Sequence, residues 1–467
     1  MTQVPTRDAG PVDFRRDVYC VLGLPFDAAG TEAVLARLRD AAETRTRCVL
    51  TTPNVNFIAA AMRNERFRDD VLKSDLCVPD GMPIVWLAWL LRIPLRDRVS
   101  GSDLFERLAQ PGAYKPMRVF LFGGQGGVAA RARKRINEQV GGVHCVGYVE
   151  PAVGSVDTLS DPALIARINA QRSDFLILSL GAEKAQAWIE RNLAALQPPI
   201  ISHLGAVLKF AAGTIRRAPR WAQSIGLEWV WRMKEEPHLW RRYFDDGRAL
   251  LGVLLRRQLP QLLRAAYSRP GRQAPEVVIE TRVDARILRL RGAWRAPDLL
   301  PLREAFEQVA ATRLRVGLDL SKVTHMDSAA IGLLLLLRGH CLRFGLTMQI
   351  IGASDAVTRC FDFHCVGYLL DTMESIAPIT RVNLAAFVDS RMQVPAGPGD
   401  TMMRTDARTL PDAMTDAVAN STPAAVAGAP ASPVAGPVAA PAAEASAGAA
   451  ADVSERAPTP AERVSTR

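Results

Sequence analysis

The chain reads as an α/β protein with two folded modules followed by an unstructured tail, and three observations carry that reading. Short aliphatic runs that end in Gly or Asn and lead into helical patterns recur through residues 1–266. A shorter alternation of strand and helix patterns fills residues 276–392. From Pro395 to Arg467 the chain is mostly Ala, Pro, Thr, Ser and Gly with scattered charge, and the last aromatic residue is Phe387. Without aromatic anchors such a segment does not offset its ordering entropy, so residues 393–467 are expected to be disordered.

Each element follows from its own pattern. Cys48-Val49-Leu50 leads through Thr51-Thr52-Pro53-Asn54-Val55-Asn56 into a helix starting at Phe57, and Arg118–Phe122 leads through Gly123-Gly124-Gln125-Gly126-Gly127 into a helix over Val128–Val140. Phe175–Leu180 ends at Gly181, and Ile200–Leu204 ends at Gly205. Strand, turn, helix, repeated, predicts a sheet with ligands at the carboxyl ends of its strands. Ser268-Arg269-Pro270-Gly271 opens a Pro- and Gly-bearing linker over 267–275. The second module predicts strands Glu276–Thr281 and Ala285–Leu290, a helix Asp298–Ala311 and a buried strand Arg315–Leu320. A strongly apolar helix Ala329–Phe344 and a strand Thr347–Ile351 follow.

Composition narrows the class. With 467 residues, 48% hydrophobic and 23% charged, the chain has ample material for a core and is too long for a single compact one. Its 7 cysteines lack paired metal-type spacing, and their odd number argues against a disulfide framework, which points to a reducing compartment. His364, between Cys360 and Cys365, suits core packing better than metal binding. The N-terminal stretch lacks the apolar run of a secretory signal, and no apolar run is long enough to span a bilayer. A cytoplasmic protein is expected. The formal charge of +10 favours an anionic partner, although the Arg-rich composition also suits a high-GC genome. No nucleic-acid recognition motif accompanies the charge.

Several residues are candidates for chemistry. Val78-Pro79-Asp80-Gly81 puts a carboxylate in a turn ahead of a helix containing Trp86 and Trp89. Asp-Gly pairs close turns and cap helices; a fixed carboxylate at a sheet edge also serves as a general base toward a sugar hydroxyl. Thr52 and Asn54 either cap the next helix or hydrogen-bond a polar ligand. The Gly123–Gly127 run lacks the dinucleotide spacing, which tells against a nicotinamide enzyme, while a diphosphate remains compatible with that backbone. Between Arg216 and Arg242, Trp221, Trp229, Trp231 and Trp240 interleave with Arg217, Arg220, Arg232, Arg241 and Arg242. Core packing and a solvated face account for such a pattern, and so does an anionic lipid surface, where indole rings sit at headgroup level and Arg pairs with phosphates. The stretch from Arg248 to Pro260 continues as a basic amphipathic helix.

These motifs, in order, resemble the WecG/TagA/CpsF glycosyltransferases over about Val21 to Tyr243. The resemblance rests on Thr52-Pro53-Asn54, Val78-Pro79-Asp80-Gly81, Val99-Ser100-Gly101-Ser102-Asp103, Phe120-Leu121-Phe122-Gly123-Gly124, Gly181 with Lys184 and Trp188, Arg217-Ala218-Pro219-Arg220-Trp221 and Gly226-Leu227-Glu228-Trp229. It implies a Rossmann-like domain over 1–266 that moves an N-acetylmannosamine-type sugar from UDP to a polyprenyl-diphosphate-linked sugar with inversion, without cofactor or obligatory metal. It also implies Asp80 as base, Thr52, Asn54, Asp103 and Gln186 as substrate-binding groups, and Arg217, Arg232, Arg241 and Arg242 as partners of the leaving UDP and of the membrane. The protein would sit at the inner face of the cytoplasmic membrane and serve envelope or exopolysaccharide synthesis.

Where the family reads Gly-x-Pro-Lys-Gln-Glu-x-Trp, this chain has Gly181-Ala182-Glu183-Lys184-Ala185-Gln186-Ala187-Trp188. That departure supports a competing class, a non-catalytic regulator that binds nucleotide-sugar or lipid. The second module resembles a STAS domain, the fold of anti-sigma-factor antagonists, through Asp319-Leu320-Ser321-Lys322-Val323-Thr324-His325-Met326-Asp327-Ser328. The resemblance implies a regulatory module with a partner protein or kinase and Ser328 as phosphoacceptor. Ser328 also suits a plain helix N-cap.

Overall fold

The computed structural model describes residues 12–371 except 113, 225 and 261–272. The expected tail and all but the last three residues of the expected linker lie outside the described residues, which belong to one compact unit.

The chain opens with an antiparallel hairpin, β1 (Val18–Val21) and β2 (Leu24–Asp27), closed by Leu22 and Gly23, both at positive φ. Next come α1 (Thr31–Thr44), β3 (Cys48–Thr51), α2 (Val55–Arg63), α3 (Glu65–Leu72), β4 (Leu76–Cys77), α4 (Met82–Leu90) and α5 (Gly101–Ala109). The sheet is completed by β5 (Met117–Gly123), α6 (Val128–Glu138), β6 (Val143–Val149), α7 (Pro162–Ala170), β7 (Phe175–Ser179), α8 (Ala182–Asn192) and β8 (Ile200–His203). Its strand order is β4-β3-β8-β7-β5-β6, parallel throughout. Strands buried on both faces read as continuous aliphatic runs, which is why β3, β5, β7 and β8 were visible in the sequence.

Apolar clusters cover both faces. One gathers Leu35, Leu38, Leu104, Leu121, Ile136 and Leu208 under α1, α5, α6 and α9 (Val207–Ala211); the other gathers Phe122, Ile168, Leu176, Trp188 and Ile189 under α7 and α8. The Arg- and Trp-rich segment forms α10 (Arg220–Ser224), α11 (Glu228–Glu235) and α12 (Trp240–Val253), the last running on as a π-helical stretch Leu254–Gln258. The expected amphipathic helix is thus the second half of a longer one.

The second region is a four-stranded sheet in the order β12-β11-β10-β9, built from β9 (Glu276–Thr281), β10 (Ala285–Trp294), β11 (Arg315–Met326) and β12 (Met348–Ala353). Only β9 runs antiparallel to its neighbour. The helices are α13 (Leu300–Ala311), α14 (Ser328–Arg343) and α15 (Asp355–Phe363). Helix α14 starts one residue earlier than its apolar pattern indicated, because Asp327 is the cap and accepts from the Ala330 amide at 2.9 Å. A third apolar cluster runs through both regions, joining Val18, Leu24, Phe67 and Leu72 to Leu302, Phe306, Leu333 and Leu336.

Candidate active site

The loops after β3 and β4 continue the parallel pairing beyond the strands. The Val78 amide donates to the Thr51 carbonyl at 3.0 Å and the Asp80 amide to the Pro53 carbonyl at 2.8 Å. The Val99 amide then donates to the Pro79 carbonyl at 2.9 Å. This stapling holds Asp80 beside Thr52 and Asn54 at the carboxyl edge of the sheet. Gly81, with φ of 125°, turns the chain sharply into α4, a conformation only glycine adopts without strain. Of the residues flagged as cap or ligand, Asn54 caps α2, its Oδ1 accepting from the Phe57 amide at 3.3 Å, and it also lines the cavity.

That cavity has a volume of about 520 Å³ and opens where β4, β3, β8 and β7 end. Thr52, Asn54, Asp80, Arg98, His203 and Arg232 line one part, and Lys209, Glu236, Arg242, Tyr243, Asp246 and Leu250 another. Helix α12 is drawn over it by Asp246, buried and accepting from Asn56 Nδ2 at 3.1 Å.

Electrostatics set the protonation states. Burial pushes the Asp80 carboxyl up to about 7, with Arg98 pulling it down and Glu228 pushing it further up. Such a group exchanges protons near neutral pH, which is what a general base requires. Arg98 donates to Glu228 Oε2 and Asp103 Oδ2, both at 2.5 Å, and Arg217 donates to Asp103 Oδ1 at 2.5 Å and to Glu106. Burial works to raise Asp103, but Arg217 and Arg98 outweigh it and hold the carboxyl below its usual range. Glu236 behaves alike: burial is outweighed by Lys209 Nζ at 2.5 Å and Arg232 at 3.4 Å. Burial lowers His203, so its ring is neutral, and Nε2–H donates to the Leu180 carbonyl at 2.7 Å.

The structure therefore gathers Thr52, Asn54, Asp80, Arg232 and Arg242 around one cavity. Asp103 and Arg217 stand behind it in the ion-pair ring that holds Arg98 and Glu228. Arg241 is exposed, stacked over Trp240 at 5.5 Å, and does not line the cavity. Gln186 does not line it either. It is buried on the inward face of α8, donating to Thr51 Oγ1 at 2.9 Å, because each helical residue turns a side chain by about 100°. Trp188 in the same motif is a core residue stacked on Phe122 at 4.6 Å. The glycine-rich turn after β5 is closed by the chain's own anion, since Glu150 accepts from the Gly127, Ala129 and Ala130 amides at 2.8, 2.5 and 3.3 Å. Ser328 is 9% exposed, and its hydroxyl donates to the Cys20 carbonyl at 2.9 Å, so it is neither the cap nor an open phosphoacceptor in this arrangement.

Sequence reasoning missed Arg98, Glu228, His203 and Lys209. Glu228 sits inside a quoted motif and Arg98 directly before another, so position was a usable signal there. Among the described residues, no group of three or more His, Cys, Asp or Glu side chains is placed to hold a metal ion, and no helix is long and apolar enough to cross a membrane.

Comparison with known proteins bears on this geometry. The profile of the Glycosyl transferase WecG/TagA/CpsF family matches residues 19–263, and that of the Mlab, STAS domain matches residues 277–367. Among curated relatives, the N-acetylglucosaminyldiphosphoundecaprenol N-acetyl-beta-D-mannosaminyltransferase of Bacillus spizizenii is 27% identical over 206 residues, 44% of this chain and 77% of that protein. The enzymes of the same name from Bacillus subtilis and Staphylococcus aureus are 27% and 21% identical, covering 44% and 45% of this chain and 78% and 82% of theirs. A crystal structure of an anti-sigma factor antagonist from Mycobacterium paratuberculosis aligns with 26% of this chain and 99% of its own at 15% identity, with a TM-score of 0.18. On the family match over more than half its length, the chain belongs to the WecG/TagA/CpsF family of glycosyltransferases, with a STAS domain following the transferase region.

Proposed function

We propose that the chain is an inverting hexosyltransferase that moves an N-acetylmannosamine-type sugar from a UDP-sugar to a polyprenyl-diphosphate-linked sugar. The observation that carries this reading is Asp80, its carboxyl raised to about 7, on the wall of a cavity also lined by Arg232, Arg242 and Lys209. The relatives' shared name supplies the acceptor class and the sugar. The acceptor hydroxyl oxygen bonds to the anomeric carbon, its proton passes to Asp80, and the bond from that carbon to the UDP oxygen breaks on the opposite face. Arg232 and Arg242 stabilise the charge on the departing diphosphate, with Thr52 and Asn54 orienting sugar hydroxyls. Arg98, Asp103, Arg217 and Glu228 hold the wall in place.

The transferase region is assigned to 1–266, the STAS domain to 276–392. With a lipid-linked acceptor and a UDP-sugar donor, this reading puts the work at the inner face of the cytoplasmic membrane, in envelope or exopolysaccharide synthesis. Trp240 and Phe244, 54% and 63% exposed beside Arg241 and Arg242 in α12, suit a peripheral headgroup contact, as do the exposed Trp89 and Trp221 at 79% and 63%. The regulator reading is favoured by one observation, the inward burial of Gln186, which leaves the altered motif with Gly181 and Ala182 on the cavity wall and no polar side chain there. A test offers UDP-N-acetylmannosamine and other UDP-sugars with a short prenyl-diphosphate-linked N-acetylglucosamine and reads products by mass spectrometry. Product with one donor supports the transferase; UDP binding with no product from any donor supports the regulator.

A further inference from the structure

Strand β4 is only two residues long, and two residues, Val78 and Pro79, separate its end from Asp80. So short an edge strand does not hold itself. Its first side is fixed from the STAS domain: Arg343, with a side chain 6% exposed, pairs with Asp75 at 2.8 Å, and Arg343 also donates to the Lys73 carbonyl. Asp75 in turn accepts from the Val49 amide at 2.8 Å in β3. Its far side is fixed by the β1–β2 hairpin, where Asp27 accepts from the Cys77 amide at 2.7 Å while paired with the buried Arg16.

That hairpin lies against α14. A Cβ on Gly332 would come within 2.6 Å of the Val18 carbonyl, and one on Gly339 within 2.1 Å of the Leu72 carbonyl, so two glycines one heptad apart let the backbones meet. Ser328 donates to the Cys20 carbonyl at the start of the same helix. The hairpin turn is seated too, since Tyr368 donates to the Gly23 carbonyl at 3.1 Å. Apolar side chains of both regions close around these contacts as one cluster.

We propose that the STAS domain is a clamp on the base-bearing strand of its own transferase region, with Arg343 as a positioning residue acting through Asp75. The helix face led by Ser328 is then occupied within the chain and is not open to a second protein while the clamp is closed. This rests on Asp80 being the base.

The test uses the full chain and compares Arg343→Met, Arg343→Lys and Ser328→Glu with Val283→Glu, a control at a position 89% exposed. Amide exchange is followed at Leu76 and Cys77 alongside transfer rate. The clamp predicts exchange about tenfold faster at β4 in Arg343→Met and Ser328→Glu, with α6 and β5 unchanged. It also predicts kcat lower by about tenfold or more at unchanged donor KM, with recovery in Arg343→Lys and no effect of Val283→Glu. Unchanged exchange at β4 in both folded variants, or exchange raised equally across the whole chain, overturns the clamp. The exchange readout does not need turnover, so a wild type without transfer activity would sink the transferase reading and leave the clamp to be judged by exchange alone.

Discussion

Two turns at the carboxyl edge of the same sheet, Val78–Gly81 after β4 and Gly123–Gly127 after β5, invite the same reading and differ in what fills them. The glycine-rich turn opens a helix whose first amides point outward, the geometry that captures phosphates. Here Glu150 occupies those donors. The other turn presents its own carboxyl to the cavity, next to Arg98 and within reach of a ligand. What separates a filled turn from an open one is whether the chain has already supplied the counter-charge, and glycine content says nothing about that.

Substituting the two carboxylates should therefore give opposite results. Asp80→Asn is expected to lower transfer by about 10³-fold, within the range for loss of a general base, while UDP binding persists. Glu150→Gln in the same assay should stay within about twofold of wild type. Comparable losses in both would erase the distinction.

Arg98 sharpens it from the charge side. Arg98→Ala leaves Glu228 and Asp103 without one of their partners and is expected to destabilise the fold by about 3 kcal/mol in denaturant unfolding. Because Arg98 pulls Asp80 down, its loss should also move the midpoint of the pH–rate curve upward. A midpoint that falls would contradict the assignment.

The pH dependence of stability is a smaller effect with a definite sign. Asp80 titrates near 7 in the folded chain and near its ordinary 3.8 when unfolded, so the native state holds the extra proton between those values. Its contribution is full below pH ~4 and is lost as pH rises through about 7. Asp80→Asn should gain stability relative to wild type between pH 5 and pH 8, read from urea midpoints. The smallest expected change is Glu150→Gln, about 1 kcal/mol from a weakened helix N-terminal contact, measured by thermal unfolding.

Much of the fold was legible because buried parallel strands leave continuous aliphatic runs punctuated by Gly and Asn. The β1–β2 hairpin was not, since its Leu22-Gly23 turn lacks the Asn-Gly or Asp-Gly pair that marks a two-residue hairpin in sequence. At the site, residue types and order marked Asp80, Thr52 and Asn54. Facing was another matter: Gln186, Asp103 and Arg217 have suitable chemistry but point to the core or to one another, and for Gln186 one helical position decides that. The burial of Ser328 under Cys20 depends on two distant segments meeting, with Gly332 and Gly339 the only local trace. The raised Asp80 carboxyl is likewise a property of assembly, set by burial and by Glu228 from a helix 148 positions further along.

The most direct test of the central claim is the single-turnover rate of sugar transfer from UDP-N-acetylmannosamine as a function of pH, for wild type and Asp80→Asn, with UDP binding measured on the same samples. The account predicts a wild-type rate that rises through pH ~7 and levels off, and an Asp80→Asn rate near background while UDP remains bound. An Asp80→Asn protein that transfers at the wild-type rate would contradict it.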